Sequence, residues 1–300
     1  MSSLISWAAI LLSLALCPLF SGFVDRMTAF FAGRDGDGML QPYRDLLTLA
    51  RKRGRRVMFI DGVIPAGVLT ASCLLLFTTP LGTEASALSF PGDFALWMVA
   101  LASGRTFGVA AAFGRSGFPG FGAGRLAIRS TLVCITAFAA LATILAVGDG
   151  TSLAAALEGL TGRARADYIV ALLAASFAFA VATLAESGKA PFDDLAGWEP
   201  KLAHDAVERD FGGPELAMLK YAEHLKLWTL GCMAVQIALP RLDLDPLDAA
   251  RVFAGLAVFG ALAGLAGAFA PRLDGKRSVL ALGAACALAV MSPFLAWIRI

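Results

Sequence analysis

The sequence predicts an all-α integral membrane protein with about eight transmembrane helices. First, 58% of the 300 residues are hydrophobic and only 16% are charged, whereas about 25% of the residues of a water-soluble protein are charged. Second, the apolar residues are gathered into stretches about 20 residues long, which is the length of helix that crosses a bilayer. Third, basic residues are concentrated in every other connection between these stretches. We therefore expect a single polytopic membrane domain over residues 1–300.

Eight apolar stretches are long enough to span a bilayer, at 4–24, 57–81, 94–113, 126–147, 168–185, 216–239, 249–270 and 278–298. Because lipid offers the backbone no hydrogen bonds, we expect each of them to be helical. The sixth stretch is the weakest candidate, because it is interrupted by Lys220, Glu223, His224 and Lys226. No basic residue precedes the first stretch, so we expect it to be a retained span and not a cleaved signal peptide.

The basic residues of the connections predict the orientation of the chain. The odd-numbered connections hold most of them: Arg26, Arg34, Arg44, Arg51, Lys52, Arg53, Arg55 and Arg56 in the first, Arg115 and Arg125 in the third, Lys189, Lys201 and Arg209 in the fifth, and Arg272 and Lys276 in the seventh. The even-numbered connections hold only Arg163, Arg165, Arg241 and Arg251. Since basic loops stay on the cytoplasmic side, both termini are predicted to lie outside.

The cysteines and histidines limit the redox chemistry that the chain could carry. Each of the five cysteines lies in an apolar stretch and no two are close in sequence, at Cys17, Cys73, Cys134, Cys232 and Cys286. That spacing excludes the local motifs of zinc and iron–sulfur sites, and thiols that pack in the core are the simpler interpretation. With only two histidines, a bis-histidine haem is not expected either. We predict that the chain has no metal site and no redox centre.

The first long loop, residues 25–56, carries a glycine-rich turn followed by a short amphipathic segment. Pro42 can occupy the first turn of a helix, and Leu46, Leu47 and Leu49 then form an apolar face ahead of a basic end. Two interpretations stay open: an interfacial helix held by anionic lipid, and a docking surface for a cytoplasmic partner.

The second long loop, residues 186–215, is rich in charge, and its charges continue into the sixth stretch. If that stretch is helical, Lys220, Glu223 and His224 share one face. Charges inside a span are costly and mark ion or proton pathways by default, although lysines near a helix end can instead extend towards the interface. Arg105 stands alone in the third stretch, and we expect it to be the counter-charge of a buried carboxylate.

At these two loops the chain resembles the membrane subunit shared by respiratory complex I and the energy-converting membrane-bound [NiFe] hydrogenases, including formate hydrogenlyase. Residues 40–47 resemble the LQP-containing first loop of that family, and residues 185–193 resemble its AE-[ST]-x-[RK]-x-P-[FV]-D motif. Residues 204–206 and 210–213 are similar to the HEA and EYSG elements of the hydrogenase branch. Residues 34–38 read Arg-Asp-Gly-Asp-Gly, where the complex I form is rich in Gly-Pro and Asn.

The resemblance implies an eight-helix subunit of the bacterial or archaeal cytoplasmic (inner) membrane that couples electron transfer in a soluble arm to proton or sodium movement. The ion-coupling candidates that it implies are Glu186, Asp193, Glu199, Asp205, Asp210, Glu223, Lys220, Lys226, His224 and Arg105. The candidates for partner docking or for a quinone cavity are Arg34, Gln41, Pro42, Tyr43, Arg44, Asp45, Lys189 and Pro191.

The resemblance also implies the partners and cofactors. The partners are a hydrogenase-like or quinone-reductase-like arm and antiporter-like membrane subunits, together with lipid and without nucleic acid. The iron–sulfur clusters and a NiFe centre belong to the partner subunits, so this chain has no catalytic centre and no cofactor of its own.

Three alternatives remain beside the hydrogenase-type subunit. The chain could be the quinone-site subunit of complex I, with the quinone in a cavity between the two long loops. It could be a free-standing secondary transporter, although such proteins commonly show internal repeats and none is evident between the two halves. It could also be a passive anchor with inert carboxylates.

Overall fold

A computed structural model of the chain describes residues 2–52, 60–81, 86–112, 119–160, 167–192, 211–239, 245–270, 273 and 275–298. These residues form ten helices. In chain order they are α1 (Ser2–Phe31), α2 (Gln41–Arg51), α3 (Ile60–Thr78), α4 (Asp93–Ala112), α5 (Pro119–Gly148), α6 (Leu153–Gly159), α7 (Ile169–Glu186), α8 (Pro214–Ala238), α9 (Asp245–Phe269) and α10 (Gly275–Ile298).

The helices have the length and composition of an integral membrane protein. Within the described residues, five helical segments are long and apolar enough to cross a bilayer: Trp7–Phe31, Leu126–Gly148, Ile169–Glu186, Ala250–Phe269 and Lys276–Trp297. A shorter apolar segment lies in α3, at Gly62–Thr78. The all-α membrane class that the composition predicts is therefore confirmed.

Each of the eight predicted stretches coincides with one helix, but the ends differ. Helix α1 continues to Phe31 and α5 already begins at Pro119, because a helix can extend past the apolar length that a hydropathy argument detects. Helix α6 is not predicted, since it has only seven residues. Its N-terminus is capped by Ser152, whose hydroxyl accepts a hydrogen bond from the backbone N–H of Ala155 at 3.2 Å.

Helix α8 lies at the centre of the bundle. It packs against α1, α2, α3, α7 and α9, while α5 packs against α4, α7 and α10. The residues of α8 from Leu225 to Ile237 are buried without interruption. A helix that is buried on all sides needs partners for any charge that it carries, and α8 carries Lys226 in this buried stretch.

Two apolar clusters form most of the core. The first lies where α1, α8 and α9 meet, and includes an edge-to-face contact between Phe20 and Trp228 with ring centroids 5.7 Å apart. The second lies between α4, α5, α7 and α8 and includes the fully buried Trp97 and Phe179. The indole N–H of Trp97 donates to the hydroxyl of Thr79 at 3.0 Å, so its polar atom is satisfied inside the core.

The two ends of the bundle are fixed in different ways. At the end that holds α6, the carboxylate of Asp93 accepts a hydrogen bond from the backbone N–H of Leu153 at 2.7 Å, which ties α4 to the start of α6. At the opposite end, α7 finishes at Glu186 and the chain continues into the charged loop. We call this the Glu186 end. The candidate site lies there.

Candidate functional site

The C-terminus of α7 places Glu186 in the bundle. Gly188 has a φ of +59°, a left-handed conformation that glycine adopts without steric cost. This allows the N–H groups of Gly188 and Lys189 to donate to the carbonyls of Ala185 and Leu184, at 3.4 and 3.1 Å. The two bonds form a Schellman cap. Glu186 is therefore the last helical residue of a firmly closed helix end.

Glu186 is paired with cations from two other helices. Its Oε2 lies 2.7 Å from Nη2 of Arg105 on α4, and its Oε1 lies 3.1 Å from Nζ of Lys226 on α8. The three side chains are 4%, 9% and 11% exposed for Arg105, Glu186 and Lys226. Removing one partner of such a buried pair leaves an uncompensated charge, which is strongly destabilising. The cluster thus joins α4, α7 and α8 by charge.

Arg129 on α5 completes the surroundings of Glu186. Its Nη2 donates to the backbone carbonyl of Ala185 at 3.0 Å and to that of Phe192 at 3.4 Å. Arg105 also donates, through Nη1, to the carbonyl of Ser130 at 2.7 Å. Arg129 therefore holds the backbone on either side of Glu186, while Arg105 links its carboxylate to the backbone of α5.

The charged residues of α8 separate into two groups. Lys226 faces Glu186, whereas Lys220 lies 3.8 Å from Glu223, and these two side chains are 27% and 37% exposed. His224 is half-buried. The sequence leaves open whether Lys226 extends towards an interface; the structure shows it buried and paired with a carboxylate.

The first loop folds back along α1. The hydroxyl of Tyr43 donates to the backbone carbonyl of Ala15, and the chain at Met39 and Pro42 passes directly over Gly22. This contact places α2 against α1 and α8. Gln41 donates to the carboxylate of Asp45 at 2.8 Å.

One side of α2 is exposed. Leu46 and Leu49 are half-buried, whereas Arg44, Asp45 and Leu47 are exposed. The predicted amphipathic helix after Pro42 is thus present, from Gln41 to Arg51. Arg34, which precedes it, is exposed as well.

The structure brings together only part of the predicted site. Arg105, Glu186 and Lys226 meet, while Glu223 and Lys220 lie apart from them on the half-exposed side of α8. The remaining acidic candidates lie outside the described residues: Asp193, Glu199, Asp205 and Asp210.

Three charged residues that are not among the predicted site residues also belong to this region. Arg129 contacts the backbone beside Glu186, Asp25 accepts an ion pair from Lys189 at 2.6 Å, and Glu215 is a buried acid at the start of α8. Arg129 carried the same signal as Arg105, a single basic residue inside an apolar stretch. Asp25 and Glu215 lie at stretch ends, where charge is ordinary, so no sequence signal distinguishes them.

A protein family matches nearly the whole length of the chain. The family described as NADH dehydrogenase matches residues 4–297. The chain belongs to this family. The resemblance inferred from the loop motifs is thereby confirmed at the level of the family, and the match extends over nearly all the described helices.

Two individual proteins are similar to the chain, one in sequence and one in fold. The chain is 27% identical over 240 residues to the protein named Hydrogenase-4 component C of Escherichia coli (strain K12), covering 76% of this chain and 72% of the relative. Its fold is similar to a chain in the structure of the membrane-bound sulfane sulfur reductase, described as an archaeal respiratory membrane complex. That likeness has a TM-score of 0.81 with 18% identity, and covers 99% of this chain and 100% of the other.

Proposed function

We propose that the chain is the membrane-anchoring and ion-coupling subunit of a hydrogenase-type respiratory complex with a formate hydrogenlyase-like composition. In this proposal a soluble arm carries the electron-transfer centres, iron–sulfur clusters and a NiFe centre among them. The chain holds that arm at the membrane and links its electron transfer to proton or sodium movement. Its membership of the NADH dehydrogenase family and its similarity to Hydrogenase-4 component C support this assignment.

The observation that carries the ion-coupling part is the buried cluster of Arg105, Glu186 and Lys226. A charged group inside a membrane bundle is costly and is retained where it has a functional use. The proton affinity of a carboxylate depends on the cations beside it. A change in the soluble arm that displaced Lys226 or Arg105 would therefore change proton binding at Glu186, which is a coupling between two sites.

The proposed topology is eight spans in the inner membrane, with both termini outside and the Glu186 end in the cytoplasm. All eight predicted stretches coincide with helices, and the basic residues of the odd-numbered connections favour a cytoplasmic position for them. This orientation places the exposed face of α2 where a soluble arm would dock. Arg44, Asp45 and Leu47 offer charge and an apolar contact there.

The test of this function is a Glu186→Gln variant of the complete complex, purified and reconstituted into sealed vesicles. We expect hydrogen- or formate-linked electron transfer to continue while ion movement falls to background, since glutamine cannot exchange a proton. Glu158→Gln is the matched control, because Glu158 is an exposed acid on α6, at the opposite end of the bundle. Full ion movement in Glu186→Gln would contradict the proposed coupling.

A second measurement separates this function from a free-standing transporter. The chain purified alone and reconstituted should move no solute, because the proposed activity needs the electron-transferring arm. Solute uptake driven by a gradient, without any partner subunit, would replace the proposal with the transporter alternative.

A further inference from the structure

The six residues that follow α7, residues 187–192, form a short strap against the ends of several helices. The strap starts at the Schellman cap behind Glu186. It closes on itself where the N–H of Phe192 donates to the carbonyl of Lys189 at 2.9 Å. Since the first strap residues are bonded to the last turn of α7, a shift of the strap is transmitted to Glu186.

Polar contacts tie the strap to three other parts of the chain. The ammonium of Lys189 lies 2.7 and 2.6 Å from the two carboxylate oxygens of Asp25 on α1. The carbonyl of Pro191 accepts a hydrogen bond from the N–H of Leu273, between α9 and α10, at 3.0 Å. The carbonyl of Phe192 accepts from Arg129 on α5. The strap is therefore held at its start, middle and end.

Helix α9 supplies a steric contact at the middle of the strap. A methyl group placed on Gly267 would lie 2.9 Å from the Cβ of Ala190 and 3.1 Å from Cγ2 of Thr28 on α1. One turn earlier, a methyl group on Gly264 would lie 2.5 Å from the Cβ of Met27. The two contacts under 3.0 Å, with Ala190 and Met27, are essentially never shown by real Cβ atoms, so the strap and α1 can occupy their places because α9 presents glycine.

We propose that Gly267 is a positioning residue, which sets the place of Glu186 in its ion-pair cluster by admitting Ala190 of the strap into a notch on α9. A side chain at position 267 would push Ala190 away. Lys189 and Gly188 would follow, because they are adjacent to Ala190 and are bonded to the last turn of α7. The pairing of Glu186 with Arg105 and Lys226 would then lengthen. Only the consequence for ion movement rests on the proposed function; the placement itself does not.

The test measures the reactivity of Glu186 in the assembled complex. A hydrophobic carbodiimide modifies protonated carboxyl groups in membrane proteins, and the modified peptide is quantified by mass spectrometry. In the protein without substitutions, Glu186 is paired with two cations and should react slowly with the carbodiimide. In Gly267→Ala the weakened pairs should increase the labelling of Glu186 about fivefold or more. That ratio corresponds to a change of roughly 1 kcal/mol in the free energy that separates paired from unpaired Glu186.

Two matched variants make this result specific. Gly283→Ala adds the same methyl group on α10, where nothing lies within 4 Å, and should leave the labelling unchanged. The double variant Gly267→Ala with Ala190→Gly removes the atom against which the new methyl group presses, and should return the labelling towards the original value. Unchanged labelling in Gly267→Ala, an equal increase in Gly283→Ala, or no reversal in the double variant would each overturn the proposal.

A further variant and a second readout keep the positioning role separate from the proposed function. Ala190→Val crowds the same contact from the strap without altering α9, and should also raise the labelling. Ion movement per electron, measured in parallel, should fall in Gly267→Ala and recover in the double variant. If Glu186→Gln retained full ion movement, the proposed function would fail, yet the labelling pattern would still decide whether Gly267 positions Glu186.

Discussion

The guanidinium of Arg105 lies 2.7 Å from the carboxylate of Glu186, and the two side chains come from different helices, α4 and α7. Both are almost completely removed from solvent, since their side chains are 4% and 9% exposed. Each of these two long helices thus contributes one charged side chain to the same place in the bundle. Lys226 adds a third helix to the same point, so the cluster is a fixed junction of the bundle as well as a candidate proton site.

Loss of the carboxylate should destabilise this junction more than loss of one of its cations. In Glu186→Gln, Arg105 and Lys226 both lose their carboxylate partner inside the bundle, and we expect a cost of about 3–5 kcal/mol in the free energy of unfolding. In Arg105→Gln, Glu186 stays paired with Lys226, so the cost should be smaller. Thermal unfolding of the purified protein in detergent measures both. An Arg105→Gln variant as unstable as Glu186→Gln would contradict the balance of Glu186 by Lys226.

The two lysines of α8 should differ sharply in importance. Lys226 is buried against Glu186, whereas Lys220 forms a half-exposed pair with Glu223 at 3.8 Å. Such exposed pairs contribute only about 0.2–1 kcal/mol. We expect Lys226→Met to abolish ion movement in the reconstituted complex and Lys220→Met to retain most of it. Equal losses in the two variants would place the coupling site elsewhere on α8.

Much of the fold was predictable because a bilayer imposes a fixed length on apolar helices. That constraint locates α7 and α10 to within a few residues. It contains no information on where α1 stops, because past the hydrocarbon the helix is ended by local chemistry such as the left-handed Gly33. The short α6 is not detected by the length that a bilayer imposes, because it has only seven residues.

Only those residues of the candidate site that stand out in the sequence could be predicted. Arg105 stands out as a lone charge in an apolar stretch, and Glu186 stands out as the acid of the motif at residues 185–193. The contacts of Asp25 with Lys189, and of Gly267 with Ala190, join elements far apart in sequence. Such contacts are set by how the helices pack, which the periodicity of each helix does not specify.

The Schellman cap behind Glu186 should require glycine. Gly188 has a φ of +59°, and a residue with a Cβ is destabilised there by about 1–2 kcal/mol. Gly188→Ala should therefore lower the unfolding temperature in detergent. Gly212→Ala is the matched control, because Gly212 is exposed and has nothing within 4 Å of an added methyl group. If both variants unfolded at the same temperature, the cap would have no measurable part in stability.

The position of α2 should depend on Gly22. A methyl group at that position would lie 2.3 Å from the backbone carbonyl oxygen of Met39, so Gly22→Ala must displace the start of α2. If α2 docks the soluble arm, the arm subunits should copurify less well with this variant. Gly62→Ala on α3, with nothing within 4 Å, should copurify normally. Undiminished copurification of the arm with Gly22→Ala would argue that α2 is held by lipid and does not dock the partner.

The proposed orientation places α2 and α6 on opposite sides of the membrane. Thr48 and Glu158 are exposed residues of these two helices, and the native cysteines described by the structure are buried or half-buried. With a membrane-impermeant maleimide, Thr48→Cys should react only in inside-out vesicles, whereas Glu158→Cys should react only in intact cells or spheroplasts. The reverse pattern would invert the topology. Reaction of both cysteines from the same side would mean an even number of crossings between α2 and α6, which would contradict the three crossings proposed for α3, α4 and α5.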